Sequence, residues 1–264
     1  MEGNNKKVIW LTGASSGIGE ALAYELSLKG HKLILSARNK KQLQLVKENC
    51  KFPDSVTILP LDLSKFRAMD QSVNTAISFY GKIDMLINNA GISQRSLIMD
   101  TDLEVYEKLI NINYMGTIAL SKEVLPHFIS KGSGHFVTVT SLMGKFGSPY
   151  RSGYCAAKHA LHGFFDVLRM EHDKDGIDVT MVCPGFVQTK LAINALIGDG
   201  SSQNRNDTAT EQGMPPEIFA RKMIRAIEQK KYEVYIGGKE IKGIYLKRFF
   251  PKLLHKIVLR SKFR

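Results

Sequence analysis

The run Val8-Ile-Trp-Leu11 leads straight into Thr12-Gly-Ala-Ser-Ser-Gly-Ile-Gly19, and a helical pattern through Ile18, Ala21, Leu22, Glu25 and Leu26 follows at once. No other stretch restricts the fold as much. A short apolar run without polar alternation suits a strand buried on both faces, as in parallel sheets covered by helices. Glycines at 13, 17 and 19 let the backbone turn tightly and approach a pyrophosphate. The helix beyond them directs its free amides and positive dipole end at the phosphates. The spacing is Gly-x-x-x-Gly-x-Gly, which alone would also serve an ordinary glycine-rich turn.

The same unit repeats along the chain. Lys32-Leu-Ile-Leu-Ser36 ends in Ala37-Arg38-Asn39. An acidic residue at that place would accept hydrogen bonds from a ribose 2′-hydroxyl, whereas a guanidinium suits a 2′-phosphate through bidentate, charge-assisted bonds. Arg38 therefore favours NADP(H) over NAD(H); the plainer alternative is a surface arginine. Val56 to Asp62 reads as a strand that sets Asp62 at its carboxyl end, where open α/β sheets place ligand contacts. Asp84 to Gly91 is another buried strand, closing on Asn88-Asn89-Ala90-Gly91, which serves either as a turn or as cofactor lining. The spacing predicts one long helix from Leu103 to about Lys131 with Asn111 and Asn113 inside it. Asn competes for backbone hydrogen bonds, so Asn113 marks either a local opening that admits a water or a solvent-exposed turn.

Tyr154 and Lys158 are four apart, one turn above each other on one helix face. Ser141, thirteen residues before Tyr154, closes the apolar run His135 to Thr140 at a strand's carboxyl end. A phenol titrates near pH ~10 and is a poor proton donor at neutrality. A cation at ~4 Å in an effective dielectric of ~20 is worth about 4 kcal/mol, enough to lower the phenol by about two to three units. Tyrosine then supplies the proton, lysine makes it available and serine hydrogen-bonds the reacting oxygen. A lone Tyr-x-x-x-Lys would be no more than a surface helix; the nucleotide-binding features change its meaning.

At 264 residues and 44% hydrophobic, the chain can bury the core of one α/β domain. Its 37 Lys and Arg against 25 Asp and Glu give +12, unevenly placed. From Lys239 onward nine basic residues face only Glu240, so a mildly basic body carries a strongly basic tail. That distribution argues against a nucleic-acid surface. Cys50, Cys155 and Cys183 lie far apart and read as reduced thiols of a cytoplasmic protein. The amino terminus runs directly into the first strand, leaving no room for a signal peptide or membrane anchor. His159 and His162 have no partners at ligand spacing, and no metal is expected. Residues 190–216 read as a substrate lid or a plain disordered loop, with a short helix over Leu191 to Ile197. Residues 241–264 form a basic amphipathic extension, with a helix starting at Pro251. Phe249, Phe250, Leu253, Leu254, Ile257 and Val258 line one stripe, interleaved with Lys247, Arg248, Lys252, Lys256, Arg260, Lys262 and Arg264. That stripe either packs on the body or a second subunit, or lies peripherally on an anionic membrane.

Taken together, Thr12 to Gly19, Asp62, Asn88 to Gly91, Asn113, Ser141, Tyr154, Lys158 and Pro184-Gly185 resemble the short-chain dehydrogenase/reductase family over about residues 6 to 240. Tyr154 to Leu161, Gly163-Phe-Phe165 and Pro215-Pro-Glu217 look like its hydroxysteroid and retinoid-type dehydrogenase/reductase members. The resemblance implies a single Rossmann-like domain over 1–240, a doubly wound parallel sheet of about seven strands with helices on both faces. It implies Tyr154 as acid and base, with Lys158 lowering its pKa and holding the nicotinamide ribose. Ser141 would orient the carbonyl, and Asn113 would hold a water linking Lys158 to solvent. Cofactor contacts would come from Gly13, Ser15, Ser16, Ile18, Gly19, Arg38, Asn39, Asp62, Leu63, Asn89, Ala90, Gly91, Pro184, Gly185, Val187 and Thr189. The expectation is an NADP(H)-dependent oxidoreductase that interconverts a secondary alcohol and a carbonyl on a lipid-like or other apolar substrate, as a homodimer or homotetramer. The alternatives are an NAD-dependent alcohol dehydrogenase of the same fold and a cofactor-binding regulator without catalysis.

Overall fold

The computed structural model describes residues 6–260. The expectation about the extreme amino terminus, and the cations Lys262 and Arg264, lie outside them. The first half of the chain runs β1 (Val8–Thr12), α1 (Gly17–Leu28), β2 (Lys32–Ser36), α2 (Lys40–Glu48), β3 (Val56–Ile58), α3 (Asp70–Tyr80) and β4 (Met85–Asn88). Then come α4 (Leu103–Ile110), α5 (Gly116–Lys131), β5 (Gly134–Val139), α6 (Ser152–Glu171) and β6 (Ile177–Pro184). The last part holds α7 (Thr208–Glu211), α8 (Pro216–Glu228), β7 (Glu233–Ile236), α9 (Lys242–Phe249) and α10 (Pro251–Arg260). The seven strands pair in parallel in the order β3-β2-β1-β4-β5-β6-β7.

Alternate residues of β1 explain the two layers of helices. Ile9 and Leu11 enter a core with Leu22 and Leu26 of α1 and Phe219 and Met223 of α8. Val8 and Trp10 point the other way, to Leu120, Val124 and Phe128 of α5 and Phe165 of α6. Trp10 is fully buried, and its indole N–H donates to Ser36 Oγ at 2.8 Å, so its one polar atom costs nothing. After β1 the sheet is built outward to β3, and at β4 it reverses and grows the other way. That reversal opens a crevice at the carboxyl ends of β1 and β4.

Three expectations about local structure are corrected. The helix expected from Leu103 to Lys131 is interrupted by a π-helical turn over Asn111–Met115, where the Gly116 N–H reaches Asn111 O. Asn113 in that turn is wholly buried, which excludes the solvent-exposed reading. The third strand is regular only to Ile58; beyond it the Leu59 and Leu61 amides still donate to Leu35 O and Ala37 O, and Asp62 then caps a 3-10 turn. Residues 191–197 form turns instead of a helix, because their backbone is taken up by neighbours: Leu196 bridges Gln94 on one side and Ser202 on the other. Residues 190–216, the covering segment, are closed by a third bridge between Val187 and Met214.

The tail helix begins at Pro251 as its sequence predicts, and its stripe divides. Leu254 is buried with Leu142, Phe146 and Cys183, while Phe249, Phe250 and Leu253 stay exposed. Among the described residues no helix is long and apolar enough to cross a membrane.

Candidate active site

The Gly13 turn has φ +65, and a Cβ there would sit 2.7 Å from Ala90 Cα. Only glycine tolerates both the conformation and the approach. Thr12 Oγ1 accepts from the Asn89 and Ala90 amides, and Asn89 Nδ2 donates back to the Thr12 and Gly13 carbonyls. The turn after β1 and the end of β4 are thus laced into one wall. Ser16 caps α1 in extended conformation without a side-chain cap bond, so the first amides of the helix have no partner from it. Gly19 does not reach the cavity wall. It lets α1 pack onto the Gly13 carbonyl, a contact a Cβ would obstruct.

One cavity of about 1330 Å³ runs from this turn to the tail helices. Gly13, Ser15, Ser16, Ile18, Arg38, Asn39, Asp62, Leu63, Asn89, Ala90, Gly91, Ser141, Tyr154, Lys158, Pro184, Gly185, Val187 and Thr189 all line it. Arg38 is exposed at the carboxyl end of β2. Beside it, the Asn39 side chain accepts from Gln42 N and so caps α2. Burial tends to raise the Asp62 carboxyl, but two hydrogen bonds from Ser64 and the Arg38 charge outweigh it and hold it below the usual carboxylate range. A glycine cradle, helix amides and a guanidinium along one wall fit a dinucleotide.

At the other end, Ser141 follows β5, and its Oγ accepts from Met143 N at 3.1 Å. Tyr154 and Lys158 stand on the first turns of α6, both buried. Gly153 permits this position: a Cβ would lie 2.8 Å from Leu109 and from Tyr106, and its N–H donates to Gln94 Oε1 at 2.8 Å. The Lys158 ammonium donates to Val139 O at 2.9 Å and sits 5.8 Å from the Tyr154 ring centre. Burial pulls its pKa down to about 8. Asn113 stands behind the wall and clamps the backbone of Ile92, accepting from its N–H at 2.8 Å and donating to its carbonyl at 3.0 Å. Gly91 is kept small by this clamp, since a Cβ there would meet Asn113 Oδ1 at 2.8 Å.

Burial raises the Tyr154 pKa, and the Ser141 hydroxyl and the charges of Arg95 and Arg151 work against it.

Arg95 and Arg151 were not singled out by the sequence reading, and neither was their shared partner. Asp207 Oδ2 accepts from Arg95 Nη2 at 2.6 Å, from Arg95 Nε at 2.8 Å and from Arg151 Nη2 at 3.2 Å, with all three residues buried. This triad ties the covering segment to the loops after β4 and β5. Gln94 and Glu240 were also missed. Glu240 Oε1 accepts from Phe186 N and Gly238 N, fixing the turn after Pro184 from the tail side. The one available signal was position: Gln94-Arg95 follows Asn88-to-Gly91 at a strand's carboxyl end. Among the described residues no three His, Cys, Asp or Glu side chains converge as metal ligands.

The short chain dehydrogenase family model matches residues 7–197. Human dehydrogenase/reductase SDR family member 7 is 42% identical over 252 residues, 92% of this chain and 74% of that one. The Drosophila melanogaster SDR family protein 7-like is 37% identical over 260 residues, 96% and 80% of the two chains. A solved short-chain dehydrogenase from Streptomyces avermitilis superposes with a TM-score of 0.81 at 27% identity, covering 98% of this chain and all of its own. With the doubly wound sheet, the glycine turn and the Ser141, Tyr154 and Lys158 side chains on one cavity, the chain belongs to the short-chain dehydrogenase/reductase family of oxidoreductases.

Proposed function

We propose that the protein is an NADP(H)-dependent oxidoreductase that interconverts a secondary alcohol and a carbonyl on an apolar substrate. The observation that carries this reading is one continuous cavity with Arg38 at its nucleotide end and Tyr154, Ser141 and Lys158 at the other. When bound, the nicotinamide cofactor supplies or accepts the hydride. In reduction Tyr154 Oη gives its proton to the carbonyl oxygen while the C=O π bond is replaced by new C–H and O–H bonds; in oxidation the phenolate takes that proton back. Ser141 Oγ hydrogen-bonds the same oxygen and fixes its place. Lys158, with a pKa of about 8, is mostly charged at neutrality, and its ammonium stabilises the negative charge that develops on Tyr154 as the proton leaves. Asn113 holds the Ile92 backbone beside Lys158, which leaves it as an indirect support and the site for a water linking Lys158 to solvent. Leu142, Phe146, Leu191 and Leu246 give the substrate end its apolar lining.

The buried free thiols Cys50, Cys155 and Cys183 support a cytoplasmic setting. The exposed run Leu97, Ile98, Met99 and Leu103 supports a homodimer or homotetramer. A screen of ketones and aldehydes with NADPH and NADH, followed at the nicotinamide absorbance, tests the reaction. For cofactor choice, a charge-assisted contact is worth roughly 1.5–3 kcal/mol, so Arg38→Ala is expected to weaken NADPH about ten- to a hundred-fold and leave NADH unchanged. Equal titration of both cofactors by the unaltered protein would overturn the preference.

A further inference from the structure

We propose that α9 and α10 form a docking surface for an anionic lipid bilayer, laid beside the mouth of the active-site cavity. The body-facing side of the pair is settled by packing: Leu254 is buried against Leu142 and Phe146, and Leu246, Leu254 and Val258 line the cavity. At the junction between the helices Phe249 and Phe250 are 68% and 63% exposed, with Leu253 exposed one turn further on. Two neighbouring phenyl rings left in water call for a partner. Lys252, Lys256 and Arg260 run along α10 at intervals of four, and Lys247 and Arg248 end α9; all five are exposed. Among the described residues none of the five takes part in an ion pair.

At about 100° per residue, the Lys252–Lys256–Arg260 row lies on the far side of Leu253 from the body-facing edge of buried Leu254 and half-buried Val258. An apolar strip bordered by the body on one side and by cations on the other is the arrangement of a helix lying in a bilayer interface. A second copy of this chain is the competing occupant. A two-fold contact there would set both cationic rows against each other in the same interface, and only Glu240 in the tail offers an opposing charge. Negative headgroups resolve what a second copy would aggravate. Docking also turns the cavity mouth toward the bilayer, where an apolar carbonyl resides. That consequence rests on the proposed function, but the docking does not and is read without turnover.

The test is sedimentation of the full chain with phosphatidylcholine vesicles, with and without phosphatidylglycerol. Binding is expected only to the anionic vesicles and should weaken as salt rises. At about fivefold per cation, the triple change Lys252→Gln, Lys256→Gln and Arg260→Gln should weaken binding by roughly 100-fold. Phe249→Ser with Phe250→Ser should weaken it further, with reduction of a water-soluble carbonyl unchanged in both variants. No sedimentation at low salt, equal binding to neutral vesicles, or binding indifferent to both variants would overturn the proposal. A wild-type chain that ignores vesicles, and a phenylalanine variant that changes mass in light scattering, would assign the surface to a second copy.

Discussion

Replacing Tyr154 with phenylalanine is expected to lower kcat for carbonyl reduction by about 10²–10⁴-fold, the range that a positioned general acid contributes. The ring keeps its packing against Val105 and Leu109, so the fold and the affinity for NADPH should hold. Only the transferable proton is lost. Lys158→Met should differ, because it removes a cation from the cofactor's wall and weakens nucleotide binding together with turnover. The pH dependence gives an independent check. Burial raises the Tyr154 pKa, so the phenol remains the dominant form through neutrality and reduction should hold level there. Oxidation needs the phenolate and should rise with pH toward that elevated pKa. A Tyr154→Phe enzyme that kept more than a few per cent of its reductase activity would remove the phenol from the mechanism. So would an oxidation rate that falls as pH rises past neutrality.

What the sequence disclosed and what it concealed differ in physical kind. Buried parallel strands are written as apolar runs, so β1, β2, β4 and β6 are legible, and Gly13 is legible because a positive φ admits few other residues. Asn113 is visible as a poor helix residue inside a helix, and the π turn is the structural answer to that misfit. Sequence spacing also places Tyr154 over Lys158, but direction is another matter: the lysine's ammonium is held by Val139 O, a contact no periodicity announces. Arg95, Arg151 and Asp207 carry no signal of their own in the sequence, because polar side chains in loops are usually solvated. Asp207 lies 112 residues from Arg95 and 56 from Arg151, and only the completed sheet brings the loops after β4 and β5 under the covering segment. The same holds for Glu240, whose carboxylate closes the turn after β6 from 54 residues further along the chain.

The Asp207 triad carries the second large effect. Two guanidiniums share one carboxylate oxygen, so the cluster has a net charge of one positive unit in a site nearly closed to water. Asp207→Ala leaves two buried cations facing each other with nothing between them. Breaking a buried ion pair on one side costs about 3–5 kcal/mol, a large part of the ~5–15 kcal/mol that holds a domain together. Arg95→Met acts differently, because it leaves Asp207 paired with Arg151 as a neutral couple. It should cost clearly less, and the order of the two variants in urea unfolding is the discriminating result. Hydrogen bonds and charge from Arg95, then the Arg151 charge, outweigh burial and depress the Asp207 pKa, so its contribution is present above the ordinary carboxylate range. It is lost as pH falls through the depressed folded value. The stability gap between wild type and Asp207→Ala should therefore shrink in acid. A catalytic signature accompanies this. With Asp207 gone, two unneutralised cations favour the Tyr154 phenolate, and the pH at which reduction begins to fall should move downward. If Arg95→Met proves as destabilising as Asp207→Ala and neither shifts that limb, the triad is ordinary packing and sets no charge beside Tyr154.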